Sequence, residues 1–245
     1  MGELFHAILY RPLLNALIFL YDKVTFQDMG LAVILLTIII RVVLWPLFHK
    51  GAHAQAVMSR IQPQLKKIQE DHKRDKARQA ELMMALYREH KVNPLSGLML
   101  LAVQIPVFIA LWKVFNVGLS ETAYGDLYSF MPGISAPINH YFLSVVDLAR
   151  RSIPIAVVAA AAQFVQGKLS LAKAASPPQQ ATEGSKNPMA NMGKQMVYTM
   201  PAVTIFILWG LPSAIGLYWL TTTIFSIIQQ IVINRSLKTW NPTNR

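Results

Sequence analysis

The sequence predicts an all-α membrane protein: five transmembrane helices, an N-terminal interfacial helix and a cytoplasmic helical hairpin. Three observations predict it. Of 245 residues, 53% are hydrophobic and only 14% charged, against roughly 25% charged in a soluble domain. The apolar residues gather into runs of membrane length, since about 20 helical residues span about 30 Å of hydrocarbon. The net charge of +11 is clustered between those runs. There are no cysteines, which excludes disulfides and thiolate metal sites.

Residues 1–26 are read as an extracytoplasmic amphipathic helix lying on the membrane. Leu4, Ile8, Leu9, Leu13, Leu17, Leu20 and Tyr21 supply its apolar side, with His6, Arg11 and Asn15 on the polar side. It is a poor secretory signal, because no basic region precedes it and Arg11, Pro12 and Asn15 interrupt the apolar run. The start MGELFH also lacks the Ser/Thr of a myristoylation motif.

Residues 27–238 form the core, with spans expected at about 29–48, 95–117, 153–171, 195–210 and 213–234. Trp45 and Pro46 mark the interface end of the first. The stretch 49–91 carries ten Lys/Arg and five Asp/Glu, which places it in the cytoplasm by the positive-inside rule. It reads as a helical hairpin, with Ile61, Leu65 and Ile68 lining one limb and Leu82, Met83 and Leu86 the other; the turn falls at 71–78. Asn93 and Pro94 start the second span, Gln104 and Pro106 interrupt it, and Lys113 snorkels outward near its far end. Glu121, Asp126 and Asp147 put 118–151 outside. The Ala/Ser/Pro/Gln-rich stretch 172–194 reads as a flexible cytoplasmic loop. GLPS at 210–213 turns the chain between the last two spans, and a short basic tail, 239–245, is again cytoplasmic. Five spans then put the N-terminus outside and the C-terminus inside. No internal repeat is visible, which weighs against an inverted-repeat transporter.

Arg41 stands inside the first apolar run, where an arginine costs roughly 2.5–3.5 kcal/mol on insertion scales. Other polar residues form stripes. Thr37, Arg41 and Trp45 share one helix face. Gln163, Gln166 and Ser170 share another, as do Trp219, Thr223, Ser226 and Gln230, flanked by Thr222 and Gln229. The second span adds Gln104. Lipid offers such groups no partner, so the economical arrangement turns the stripes toward one another around Arg41. The competing reading is structural: Thr and Ser bond back to their own helices, and Gln joins helices together. For Arg41 that reading is weak, because no Asp or Glu lies in any span to neutralise it. Its charge is then available to an acidic group that enters.

Several chemistries are excluded or disfavoured. There is no P-loop, G-x-S-x-G or H-E-x-x-H, and no enzyme activity or cofactor is expected. His49 and His53 are four residues apart but lack a nearby acidic ligand, so no metal site is expected. Without carboxylates in the spans, a proton relay or sodium-coupled site is hard to build.

The chain resembles the YidC/Oxa membrane protein insertases, and the bacterial YidC branch most. The matching stretches are TIIIR at 37–41, WPL at 45–47, IQPQLKKIQE at 61–70, ELMMALYREHKVNPLSG at 81–97 and QIPVFIALW at 104–112. MPAVTIFILWGLPSAIGLYWLTT from 200 and IIQQ at 227–230 complete them. The resemblance implies the five-helix core with its hairpin. It also implies insertion of new membrane proteins without nucleotide hydrolysis, through a hydrophilic groove open to cytoplasm and lipid and closed on the outer side. The family's groove arginine falls on Arg41, and the polar residue one turn earlier on Thr37. The aromatic of the last span falls on Trp219 or Tyr218, and the glutamine of the third on Gln166 or Gln163. There are three departures: no large extracytoplasmic domain and extra span precede the core, the basic tail is short, and Gly167 stands where the family often has a second glutamine.

The expected mechanism starts with a nascent hydrophobic segment guided in by the basic hairpin. Arg41 attracts its short acidic flank, while Thr37, Gln104, Gln163, Gln166 and Ser226 replace water. The apolar part then leaves sideways along the third and fifth spans into lipid. Implied partners are nascent membrane proteins and the bilayer, with the Sec translocon, the ribosome and the signal recognition particle pathway; no specific nucleic acid is expected. The implied location is a bacterial inner (plasma) membrane. The rival class is a small transporter or channel using the same polar cavity.

Overall fold

The computed structural model describes residues 2–93, 95–118, 125–131, 138–171 and 188–239. Along the chain run α1 (Glu3–Lys23), α2 (Met29–Val43), α3 (Trp45–Asp71), α4 (Lys76–Glu89) and α5 (Ser96–Gly118). Strands β1 (Tyr141–Phe142) and β2 (Val146–Asp147) follow, then α6 (Ile153–Leu171), α7 (Pro188–Trp209) and α8 (Ser213–Thr239). Stretches of α1, α5, α6 and α8 are each long and apolar enough to cross a membrane. Helices α2 and α3 meet that test only as a bent pair, and Gln195–Trp209 in α7 is a shorter apolar helix. Helix α1, read from sequence as interfacial, is thus also of spanning length. The expected loop 172–194 lies mostly outside the described residues, as do Pro94 and the tail beyond Thr239.

The first predicted span is divided by a bend. Helix α2 starts at Asp28, whose Oδ1 accepts from the Leu31 amide at 2.9 Å, filling an orphan donor of the first turn. It stops at Val43, and α3 leaves at 71°. Pro46 is the cause in the chain: it lacks the N–H that would continue the α2 ladder onto the Val42 carbonyl, and it fits the first turn of a new helix. Trp45–Phe48, read from sequence as the end of the span, therefore opens the first hairpin limb.

Helices α3 and α4 form the hairpin, joined by a turn at 72–75, tighter than the 71–78 expected, and Leu82 lies outside the cluster between them. Asp75 caps α4 by accepting from the Arg78 amide at 2.9 Å. Val57, Ile61, Leu65 and Leu86 close its seam, with Ile68 and Met83 at the edge. Ile233 of α8 completes that cluster and joins the hairpin to the helical bundle.

The main core lies where α1, α2, α5, α6 and α8 meet. Leu14, Leu17, Ile18, Met29, Leu36, Leu111, Phe115 and Ile215 are buried there. Ala156 and Ala159 on α6 are fully enclosed, and Gly216 on α8 leaves no room for a Cβ beside Ile155. Such small residues let membrane helices approach closely.

The two strands pair antiparallel, Tyr141 opposite Asp147 and Phe142 opposite Val146. They tie down the starts of two helices. The Leu143 amide donates to Asp28 Oδ2 at 2.6 Å. The Ser213 and Ala214 amides donate to the carbonyls of Arg150 and Leu148, and Ser213 Oγ donates to Asp147 O at 2.8 Å. The Tyr128 amide donates to Asn15 Oδ1 and the Asn139 amide to the Tyr21 hydroxyl oxygen, at 2.8 and 2.7 Å. These bonds tie the segments around 126–148 to α1, α2 and α8 at one end of the bundle.

Candidate functional site

Arg41 sits in the last turn of α2, 7% exposed. A cation there faces the unfilled carbonyls of a helix C-terminus, a favourable placement. Its Nη2 donates to Gln104 Oε1 at 3.5 Å, the long end of the hydrogen-bonding range. Gln104 Nε2 in turn donates to the Tyr218 hydroxyl at 2.5 Å. The Phe48 ring covers the guanidinium, with Cζ 4.4 Å from the ring centroid, a cation–π contact. Among the described residues Arg41 makes no ion pair.

A cavity of about 480 Å³ opens on this arginine. Its wall takes Gln104, Ile105 and Phe108 from α5, Gln163 and Gln166 from α6 and Ile207 from α7. Tyr218, Trp219, Thr222, Thr223 and Ser226 come from α8. The predicted polar stripes do face one another: Arg41, Gln104, Gln163, Gln166, Tyr218, Trp219, Thr223 and Ser226 all line this one space. Both alternatives for the aromatic and both for the glutamine are present.

Thr37 and Gln230 are not in the wall. The Thr37 hydroxyl is buried and donates to Val33 O at 2.7 Å. Gln230 donates to Asn234 Oδ1 at 3.2 Å, further along α8. Within the cavity, Thr223 and Ser226 also donate to their own helix, to Trp219 O and Thr222 O at 2.8 and 2.9 Å. The structural reading of the hydroxyls thus holds locally, with their protons used and their lone pairs left over. The Thr204 hydroxyl donates to Gln163 Oε1, joining α7 to α6. The guanidinium and the glutamine amides remain as donors toward an entering group. Gly167 is placed against Val197 of α7.

Sequence reasoning missed the aromatic and aliphatic wall. Phe108 stands edge-on to Trp219 at 6.2 Å; its position one turn after Gln104 was the available signal. Phe48 could not be placed over Arg41 without the bend. Ile105 and Ile207 are exposed on α5 and α7, so the apolar margins of the cavity belong to the second and fourth predicted spans, not to the third and fifth. A second cavity of about 370 Å³ lies between α3 and the start of α5, lined by Phe48, Gln55, Met58, Asn93, Ser96 and Gln104 among others. Gln104 borders both spaces. Among the described residues no three His, Cys, Asp or Glu side chains come together.

These features define an all-α, multi-pass membrane protein with a buried arginine in a mixed polar and aromatic cavity. The chain belongs to the 60Kd inner membrane protein family, the YidC/Oxa family, whose model matches residues 19–240. It is 32% identical over 228 residues to the membrane protein insertase YidC of Pelobacter propionicus, covering 93% of this chain and 39% of that protein. To the membrane protein insertase YidC of Geobacter sulfurreducens it is 31% identical over 237 residues, covering 95% and 38%. The corresponding protein of Caulobacter vibrioides is 30% identical over 243 residues, covering 96% and 38%. The chain thus spans about two fifths of the length of these curated relatives.

Proposed function

We propose that this chain inserts newly made membrane proteins into the bilayer, using the Arg41 cavity as a polar groove and no nucleotide hydrolysis. The observation that carries the reading is a desolvated guanidinium, without an acidic partner among the described residues, facing glutamines in a space bordered by exposed apolar side chains. A nascent segment with an acidic flank brings the missing carboxylate. Arg41 and the amides of Gln104, Gln163 and Gln166 replace its water, which lowers the cost of desolvating the flank. The apolar part then passes between the Ile105 and Ile207 margins and is buried in lipid, gaining on the order of 25 cal/mol per Å². In this reading α1 lies at the outer membrane surface, the basic hairpin faces the cytoplasm, and the N-terminus is outside. The relatives' printed names, membrane protein insertase, support the activity. Thr37 and Gln230 would contribute by holding the helices that carry the groove. The Sec translocon, the ribosome and the signal recognition particle pathway are the partners such an activity would meet.

The test replaces Arg41 by Ala and by Lys in proteoliposomes and follows single-span substrates with acidic or neutral flanks. Hydrogen bonds to a charged group contribute about 1.5–3 kcal/mol, so Arg41→Ala should slow acidic-flank insertion about 10–100-fold and neutral-flank insertion much less. Arg41→Lys should restore part of the rate, since it keeps the charge but not the fork. Equal rates for Ala and the unchanged protein would sink the proposal. Solute flux in protein-only vesicles, with no substrate chain present, would favour the transporter class.

A further inference from the structure

The end of the bundle where α2 and α8 begin carries an exposed apolar tip that the cavity does not use. The β1–β2 hairpin turns through Leu143 and Ser144, both in left-handed backbone with φ of 50° and 58°. A turn with two left-handed central residues, closed here by the Val145 amide on the Phe142 carbonyl at 3.0 Å, favours Asn-Gly, because a bulky side chain is strained there. Leu143 is nonetheless 59% exposed, and Val145 beside it 79%. Asp28 holds the tip in place through its bonds to the Leu143 and Leu31 amides. Two residues before Asp28, Phe26 also has positive φ, 52°, and is 97% exposed. Strained backbone thus presents Leu143 and Phe26 outward, with Val145 beside them, around the Asp28 hydrogen bonds.

We propose that Leu143, Val145 and Phe26 form an anchor seated in the interfacial layer of the bilayer, among headgroups and the first acyl carbons. The length of α2 identifies lipid as the occupant. Its 15 residues reach only about 22 Å, against a hydrocarbon thickness of about 30 Å. At its far end the chain turns away by 71°, so it gains little depth there. The missing apolar height has to come from the Asp28 end, and the tip and Phe26 stand there, continuous with the exposed surface of the spans. Arg151, three residues after Leu148, is exposed and placed to meet phosphate headgroups, while Arg150, also exposed, pairs with Asp147 at 3.1 Å. The anchor does not depend on which side of the membrane this end faces, nor on the insertase reading.

The absence of cysteine permits a clean test. Leu143→Cys and, separately, Phe26→Cys are labelled with an environment-sensitive fluorophore in the full chain. Arg78→Cys at the start of α4 is the water-exposed control. All are reconstituted into phosphatidylethanolamine/phosphatidylglycerol vesicles carrying a nitroxide either near the headgroup or near the chain end. At both anchor sites, blue-shifted emission and shallow-nitroxide quenching about twofold or more above the control are expected, as for side chains held at the headgroup boundary, with iodide quenching reduced. Iodide quenching equal to the control, without nitroxide quenching, would place the tip in water and overturn the anchor. Protection from iodide and both nitroxides would mean a protein cover and would overturn it too. Strongest quenching by the deep nitroxide would refute the interfacial depth. Two independent sites guard against one that perturbs the turn.

Discussion

Gly30 and Arg41 stand on the same helix, one ruled by shape and the other by charge. A Cβ at position 30 would overlap the Phe142 side chain, so the absence of a side chain lets the β-hairpin lie on α2. Gly30→Val should therefore destabilise the protein in detergent by about 1–3 kcal/mol, the usual cost of overpacking. The clash has one partner, so Phe142→Ala in the same chain should remove most of that loss. Thermal unfolding of the four variants gives the double-mutant cycle. If Gly30→Val costs as much in the Phe142→Ala background, the close approach is not what demands glycine. Arg41 differs because its neighbours under-satisfy it: one long bond to Gln104 and one aromatic face. The sequence made this residue legible, since a charge in an apolar run with no acid in any span stands out. It did not reveal Phe48, because a ring seven residues along an unbroken helix could still face Arg41 but would not be folded back over it.

At the scale of elements, the hairpin was legible in its limbs and not in its attachment. Ile61, Leu65 and Ile68 meet Met83 and Leu86 in one cluster, whereas Leu82, read onto the same face, is not part of it. Ile233, fully buried in the same cluster, belongs to α8, and such a distant contact leaves no local pattern. Ile233→Ala deletes buried volume at the single described α8 position in that cluster, a change that typically costs about 2–5 kcal/mol. Hydrogen exchange in α3 and α4 should accelerate by two or more orders of magnitude, while the core at Leu14, Leu17 and Ile215 stays protected. Exchange rising equally in both places would mean that the hairpin and the bundle form one cooperative unit. The bend and the β-hairpin mark the other limit of sequence reading. In the sequence Trp45-Pro46 reads as an interface signal, yet proline's missing N–H also ends α2 there. Two-residue strands joined by the three residues Leu143, Ser144 and Val145 carry neither an alternating pattern nor an Asn-Gly turn.

At the scale of the whole molecule, lipid offers polar stripes no partner, so the helical spacing of Gln163, Gln166 and Thr223 pointed to a shared space, and Gln104 stood out as a lone amide in its apolar run. Thr37 and Gln230 share those stripes but bond within their own helices, and helical spacing cannot tell an inward hydroxyl from a self-satisfied one. The same chain-wide logic predicts orientation. Ten Lys/Arg against five Asp/Glu in 49–91 should hold the α3–α4 hairpin in the cytoplasm, since basic loops resist translocation. An odd number of crossings between the hairpin and β2 then puts Arg150 outside, with α5 as the crossing helix. In intact cells a membrane-impermeant maleimide should modify Arg150→Cys, whose parent side chain is 85% exposed, and should leave Arg78→Cys untouched until the membrane is permeabilised. The reverse pattern would invert the protein, and modification of both before permeabilisation would mean that α5 does not cross. Under the proposed insertase activity, the orientation would also set the energetics of insertion. With the hairpin inside, an acidic flank moving outward past Arg41 travels toward the positive side of the membrane. It gains about 2.3 kcal/mol per charge per 100 mV, comparable to the contribution of one charge-assisted hydrogen bond. Collapsing the potential should therefore slow acidic-flank substrates by up to about 50-fold per 100 mV and spare neutral ones.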